Sequence, residues 1–249
     1  MYYSIFKEVI RLRYVKNVFL TYRLFHVGKY FSAFITPLLI LSKISANSIS
    51  YSRYIIGWAS VISVAFATID ELLIPVLLFI LCWLFDFVDG DIARINKKSN
   101  FYGRYLDGTI DIHIDSFIFL SFGIMLHNSG VNINWLIFGA IACILTVMAN
   151  LNIDRYSAFR RWIKEENNID IGTHELPYLI KLLSTIYLDA YIIIMILTAI
   201  SSDIFYAKIF IMIGIAWNTL FYMYYLILGM RNTRGIEDKP KHDGSGNLR

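Results

Sequence analysis

Residues 86–111 read DFVDGDIARINKKSNFYGRYLDGTID, and this stretch decides how the rest of the chain is interpreted. It carries four aspartates at helical spacings: Asp86 and Asp89 are three residues apart, and Asp107 and Asp111 are four apart. Each pair therefore lies on one face of a helix. Two such faces on neighbouring helices would form a site with a formal charge of −4. The natural partners of such a site are hard divalent cations, which prefer oxygen ligands.

Outside this stretch the chain has the composition of a membrane protein. Of its 249 residues, 57% are hydrophobic and only 17% are charged, whereas soluble domains carry about 25% charged residues. A carboxylate within hydrocarbon costs roughly 2.5–3.5 kcal/mol on insertion scales, so a group of four predicts a functional site. The net charge of +4 suits anionic lipid headgroups. The basic residues of the sequence do not make a basic patch on a soluble fold, and this argues against nucleic acid as a partner.

Six long apolar stretches predict an all-α integral membrane protein with six transmembrane helices. They lie at about 48–68, 72–94, 104–127, 133–152, 179–200 and 204–229, and a polar stretch at 153–178 is expected to be a loop. The chain then divides into an N-terminal segment (1–45), a catalytic membrane domain (46–230) and a polar C-terminal tail (231–249). The tail is expected to be disordered.

The N-terminal segment 1–45 alternates basic residues with aromatic and aliphatic ones. Its apolar run at 31–41 is too short to span a bilayer, so we expect an amphipathic helix that lies on the membrane surface. The loops near 69–71, 128–132 and 201–203 contain no Lys or Arg. By the positive-inside rule, this asymmetry predicts that both termini and the mouth of the acidic site face the cytoplasm.

The acidic stretch resembles the complete signature of the CDP-alcohol phosphotransferases, a family of membrane enzymes of phospholipid and related polar-lipid synthesis. The residues that match it at all spacings are Asp86, Asp89, Gly90, Ala93, Arg94, Gly103, Asp107 and Asp111. This resemblance implies transfer of a substituted phosphate from a CDP-alcohol to a hydroxyl acceptor, with release of CMP. It also implies Mg²⁺ or Mn²⁺, with two ions per site, and a homodimer in a bacterial plasma membrane.

The resemblance further implies a role for each site residue. Asp86, Asp89 and Asp107 would bind metal, while Asp111 would act as the general base and contact the second metal. The residues expected around the CDP group are small or polar, and are Gly90, Ala93, Arg94, Gly103, Asn47 and Ser50. The element that begins at Asn47 would serve equally well as an ordinary helix N-cap.

The acceptor site is less defined. Asp115 continues the face of Asp107 and Asp111 one turn further. It either shapes the acceptor pocket or is a hydrogen-bonded structural acid. Basic residues after the fourth span would bind a phosphate on the acceptor, or they are ordinary cytoplasmic charges. These residues are Arg155, Arg160, Arg161 and Lys164. His113 lies on another side of the same helix and is interpreted as structural, and Asp189 in the fifth span has no assigned role.

The signature identifies the CDP half of the substrate and leaves the other half open. The favoured donor is CDP-diacylglycerol, with serine, glycerol phosphate or an inositol phosphate as acceptor. The alternative within the same chemistry is a soluble donor, such as CDP-choline, CDP-ethanolamine or a CDP-polyol, with a lipid or glycan acceptor. A divalent-cation transporter is a remote alternative. It is disfavoured because the outward halves of the spans are nearly all apolar, whereas a transport path needs polar groups on both sides.

Overall fold

The computed structural model describes residues 1–13, 24–97, 101–169, 171, 178–234 and 236. Within these ranges the secondary structure is entirely helical, which confirms the predicted all-α class. The α-helices are α1 (Tyr2–Arg13), α2 (Leu24–Leu41), α3 (Ala46–Phe66), α4 (Leu73–Ile95), α5 (Phe101–Asn128), α6 (Asn134–Asn167), α7 (Tyr178–Ser201) and α8 (Ile204–Thr233). A short 3-10 helix, Ile69–Glu71, links α3 to α4.

Four helices of the described chain are long and apolar enough to cross a membrane: α4, α5, α6 and α8. The protein is therefore membrane-embedded. The other two predicted spans coincide with α3 and α7, which are helices of 21 and 24 residues. Helix α3 carries a buried arginine and several serines, and the apolar part of α7 that is described in full is the shorter Ala190–Ser201. For these two helices, crossing of the membrane stays a prediction.

The described residues of the N-terminal segment, 1–13 and 24–45, contain two helices, whereas the sequence led us to expect one. Helices α1 and α2 pack on each other, with the rings of Phe6 and Phe34 5.0 Å apart between centroids. The hydroxyl of Tyr2 donates a hydrogen bond of 2.9 Å to the carbonyl oxygen of Phe34. Helix α2 in turn packs against α4. A position on the membrane surface stays a prediction for this pair.

The expectation of a loop at 153–178 is wrong for its first half, because α6 continues to Asn167. Apolar side chains recur there at helical spacing, at Ile153, Tyr156, Phe159 and Ile163. Charged residues occupy the other faces, so the helix continues although its apolar core has ended. The predicted tail, 231–249, begins as the last turn of α8 and otherwise lies mostly outside the described residues.

Close helix contacts hold α5 at the centre of the bundle. Gly123 of α5 faces Gly139 of α6, and a Cβ atom at Gly139 would lie 2.7 Å from the carbonyl oxygen of Phe119. Small residues allow helices in lipid to approach this closely. On the opposite side, Gly57 of α3 lies against Ile114 of α5. Helices α3, α4 and α5 thereby pack as one unit, and this unit carries the acidic stretch.

Candidate active site

The structure brings the signature aspartates together where α4 ends and α5 begins. Ligand oxygens of Asp86, Asp89 and Asp107 all lie within 4.8 Å of one another. Asp111 follows Asp107 by one helical turn and joins the same group through a shared arginine, Arg53. The two acidic faces predicted from the spacing therefore converge in space.

Arg53 of α3 lies among these carboxylates and is 5% exposed. Its Nη1 atom lies 2.9 Å from Oδ1 of Asp86 and 2.6 Å from Oδ1 of Asp107. Its Nη2 atom pairs with Oδ1 of Asp111. One guanidinium thus bridges three acids, and its positive charge lowers the formal charge of the cluster from −4 to −3. This pairing stabilises the cluster, because an unpaired carboxylate inside the helix bundle is costly.

Sequence reasoning missed Arg53. A signal was present, since a charged residue within an apolar span is rare and usually functional. Arg53 also follows Ser50 by three residues, which places both on one face of α3. What the sequence lacked was the knowledge that this face meets α4 and α5.

Asp89 is held by a different contact from α3. The hydroxyl of Ser50 donates a hydrogen bond of 2.7 Å to Oδ2 of Asp89, and both residues are buried. The N-cap of α3 is Ser45, whose side chain accepts a hydrogen bond of 3.1 Å from the backbone N–H of Ser48. The interpretation of the Asn47 element as the N-cap is therefore wrong, because the helix begins one residue before it.

A pocket of about 310 Å³ opens beside the acids. It is lined by every residue predicted to surround the CDP group: Asn47, Ser50, Gly90, Ala93, Arg94 and Gly103. Asp89 and Asp107 belong to both the acidic cluster and the wall of this pocket. A phosphate group in the pocket would consequently lie against the carboxylates.

Two arginines stand at this pocket. Arg94 is 62% exposed, and its Nη1 atom donates a hydrogen bond of 3.3 Å to Oδ1 of the buried Asp91. A Cβ atom at Gly90 would come within 3.3 Å of the Arg94 guanidinium, so the glycine leaves room for it. Arg104 also lines the pocket, although sequence reasoning assigned it no role. Its position next to Gly103 was the available signal.

The chemistry of the donor set suits a hard divalent cation. Three carboxylates converge, and Mg²⁺, Mn²⁺ and Ca²⁺ prefer such oxygen ligands. No histidine or cysteine belongs to this cluster in the described part of the chain. His113 instead lies with Nδ1 3.2 Å from the hydroxyl of Tyr54, and its structural role stays a prediction.

The residues predicted for the acceptor do not gather in one pocket. Asp115 lines a second cavity, which is deeper along α5. Arg155 lines a third pocket of about 270 Å³ between α6 and α8, with its guanidinium 5.1 Å from the ring centre of Phe159. Arg160 and Arg161 follow on the same stretch of α6. Asp115 and the three arginines therefore lie in different places, where the carboxylate would bind a cationic group of an acceptor and the guanidinium groups an anionic one.

These features define a class: all-helical, membrane-embedded proteins with a carboxylate cluster inside the helix bundle. The family model described as CDP-alcohol phosphatidyltransferase matches residues 43–220, which is more than two thirds of the chain. The chain belongs to this family. Membership implies an enzyme that transfers a phosphatidyl group from a CDP-alcohol donor to a hydroxyl acceptor. No curated relative matches the chain.

Proposed function

We propose that the protein is a metal-dependent phosphotransferase of phospholipid or related polar-lipid synthesis that uses CDP-diacylglycerol and releases CMP. The observation that carries this proposal is the sharing of Asp89 and Asp107 between the acidic cluster and the adjoining pocket. That arrangement would hold a diphosphate and its counter-ions side by side. The choice of CDP-diacylglycerol as donor rests on analogy with bacterial members of the family.

The metal ligands in this proposal are Asp86, Asp89 and Asp107, with Asp111 beside a second ion. When bound, Mg²⁺ or Mn²⁺ supplies positive charge that neutralises the diphosphate and polarises its oxygens. Arg53 keeps Asp86, Asp107 and Asp111 close to one another through its two Nη atoms. Ser50 does the same for Asp89 through its hydrogen bond.

Asp111 is proposed as the general base. Its carboxylate would accept the proton of the acceptor hydroxyl while the hydroxyl oxygen attacks the β-phosphorus in line. The new oxygen–phosphorus bond forms as the bond from the β-phosphorus to the bridging oxygen breaks, and the electron pair leaves with CMP. Arg94 and Arg104 line the pocket and are suited to hold the phosphates in place, because guanidinium groups bind phosphate oxygens well.

The proposal extends to the setting of the site. The mouth of the pocket would face the cytoplasm, where soluble substrates and CMP are found, because the opposite loops contain no Lys or Arg. The family resemblance adds a homodimer and two ions per site. Both can be measured on the purified protein, by light scattering and by metal analysis.

The test is a matrix of donors and acceptors with the full-length protein in detergent and Mn²⁺ or Mg²⁺. Donors are CDP-diacylglycerol, CDP-choline and CDP-ethanolamine; acceptors are serine, ethanolamine, choline, glycerol phosphate, inositol phosphate and diacylglycerol. CMP is measured by chromatography and the lipid product by mass spectrometry, with Asp86→Ala as the inactive control. We expect CMP from CDP-diacylglycerol only when a hydroxyl acceptor is present. If only CDP-choline or CDP-ethanolamine gave CMP, and CDP-diacylglycerol did not, the donor would be a soluble CDP-alcohol. If no pair gave CMP, the proposed function would be overturned.

A further inference from the structure

A cavity of about 210 Å³ lies in the bundle beyond the acidic cluster, bounded by α4, α5, α6, α7 and α8. Asp115 lines it and follows Asp111 by four residues, which is about 6 Å further along the axis of α5. Seven of the fourteen residues that line it are aromatic. Along α5, Asp111 therefore lies between Asp107, which lines the pocket of the CDP-binding residues, and Asp115, which lines this aromatic cavity.

Asp115 is the one carboxylate among the described side chains that line this cavity. It is exposed to the cavity, and it makes no hydrogen bond or ion pair within the described parts of the chain. The charged groups that act on it are Asp111 and Arg53. Arg53 already bridges three other acids, so among the residues whose side chains are described Asp115 is an intramembrane carboxylate without a dedicated counter-ion, which is by default a functional position.

Tyr191 provides a second, independent observation. Its side chain lines the cavity and is 7% exposed, yet its hydroxyl has no hydrogen-bond partner among the described residues. Tyr187 beside it stacks on Trp217, with ring centroids 4.9 Å apart and an angle of 14° between the planes. A buried hydroxyl without a partner next to a carboxylate indicates that the cavity is shaped for a polar ligand.

We propose that this cavity binds the ammonium group of a small amino alcohol, with Asp115 as its counter-ion. Ammonium groups are recognised by aromatic faces combined with an anion, which is what Tyr187, Tyr191, Trp217 and Asp115 supply. An acceptor that carries phosphate would meet a carboxylate here and no cationic side chain of the described lining. The inference rests on the proposed function and names the class of alcohol that the enzyme uses.

The length of such a ligand fits the two aspartates. A hydroxyl two carbons from a nitrogen atom places the oxygen near Asp111 while the nitrogen stays near Asp115, since these residues lie about 6 Å apart along the helix. When the amino alcohol is the free acceptor, the proton of that hydroxyl would then pass to Asp111. In a CDP-amino alcohol the same oxygen is esterified to phosphate and carries no proton. The amino alcohol could arrive free, as the acceptor, or as the alcohol end of a CDP-amino alcohol donor, and the test separates these sources.

The first test measures binding without turnover. Full-length protein in detergent is titrated with ethanolamine and choline, and with their uncharged isosteres propan-1-ol and 3,3-dimethylbutan-1-ol, while tryptophan fluorescence is recorded. We expect a saturable change with at least one charged ligand, and at least tenfold weaker binding of its isostere. Trp217→Phe should reduce the fluorescence change, because Trp217 lines the cavity.

Variants then locate the site. Asp115→Asn keeps the shape of the side chain and should weaken ammonium binding by about tenfold or more. Tyr191→Phe keeps the ring and should weaken binding by a smaller factor. Asp70→Asn is the matched control, because Asp70 is an exposed aspartate in the 3-10 helix and does not line the cavity. Its affinity should equal that of the parent protein.

The sources are distinguished by competition. One outcome is that free amino alcohols do not bind while CDP-ethanolamine binds the parent more tightly than CDP-glycerol does. If Asp115→Asn abolishes this preference, the ammonium group belongs to the donor and the cavity assignment holds. Equal binding of charged and uncharged ligands, or unchanged affinities in Asp115→Asn, would overturn it. Because the titration needs no turnover, its failure leaves the CMP-release assay of the proposed function unaffected.

Discussion

Arg53 is the residue that ties α3 to both acidic helices. Its guanidinium contacts Asp86 of α4 together with Asp107 and Asp111 of α5. Removing one partner from a buried ion pair leaves charges without compensation, which costs far more than the pair itself gains. The residue therefore controls both the stability of the cluster and its affinity for cations.

We predict that Arg53→Gln lowers the melting temperature in the presence of a chelator. The free energy of unfolding should fall by an amount near the low end of about 3–5 kcal/mol. It should not fall further, because Asp107 and Asp111 are nearly half exposed and solvent screens their charges. Excess Mg²⁺ should restore more stability to this variant than to the parent, since a bound ion replaces the lost positive charge. Arg53→Lys is the control and should be intermediate, because an ammonium cannot reproduce the forked contacts of a guanidinium. An unchanged melting temperature in chelator would contradict the role assigned to Arg53.

A second prediction separates the base from the metal ligands. Asp111→Asn keeps the size of the side chain but cannot accept a proton at neutral pH. We expect it to bind CDP-alcohol with metal within about tenfold of the parent, and to lose about 10²-fold or more in turnover. Asp107→Asn changes a metal ligand and should weaken metal and donor binding together. Nucleotide titrations and CMP release are measured on both variants. Normal turnover of Asp111→Asn would move the base elsewhere, first to Asp115.

The sequence was sufficient to predict site residues whose partners in the site are close to them along the chain. The spacings of Asp86 with Asp89 and of Asp107 with Asp111 fixed which faces are acidic, and the structure joins those faces. Arg53 and Tyr191 could not be assigned in this way. Their roles depend on contacts between helices that are far apart in the sequence, and a single sequence does not specify which helix faces meet.

At the scale of elements, α5 and α6 pack so closely that their backbones are in contact at Gly123 and Gly139. At Gly139, an added Cβ would lie 2.7 Å from the carbonyl oxygen of Phe119 and 2.9 Å from the Cα of Gly123. The apolar runs predicted five of the six helices α3 to α8 to within four residues at both ends. The end of α6 was missed because a charged helix without an apolar core was interpreted as a break.

We predict that Gly139→Val destabilises the protein by about 1–3 kcal/mol, because the added atoms overlap the backbone of α5 and separate the helices. Gly108→Ala is the matched control, since nothing lies within 4 Å of a Cβ atom at that position of α5. It should be neutral or stabilising by up to about 1 kcal/mol, as alanine favours helices over glycine. Thermal unfolding in detergent measures both. Equal melting temperatures for the two variants would show that α5 and α6 do not pack as described.

At the scale of the whole molecule, the distribution of Lys and Arg predicts the orientation in the membrane. We predict that a cysteine at Asp70, in a link without basic residues, is labelled by an impermeant maleimide only from outside the cell. A cysteine at Glu165, on the exposed end of α6, should be labelled only after the membrane is opened. The native Cys82 and Cys143 are buried and should stay unlabelled. Gly130 is a poorer probe, because its φ of 79° disfavours a side chain. Labelling of the Asp70 position only from the cytoplasmic side would reverse the topology.

The most direct test of the central claim is CMP release by the purified protein, measured with Mn²⁺ or Mg²⁺ and again in excess chelator. Donor and acceptor are the pair found in the matrix experiment. The account predicts rapid CMP release with the metal, almost none in chelator, and none from Asp86→Ala, Asp89→Ala or Asp107→Ala under either condition. Full activity in excess chelator, or in any of these three variants, would contradict the claim that the aspartate cluster is a metal-dependent catalytic site.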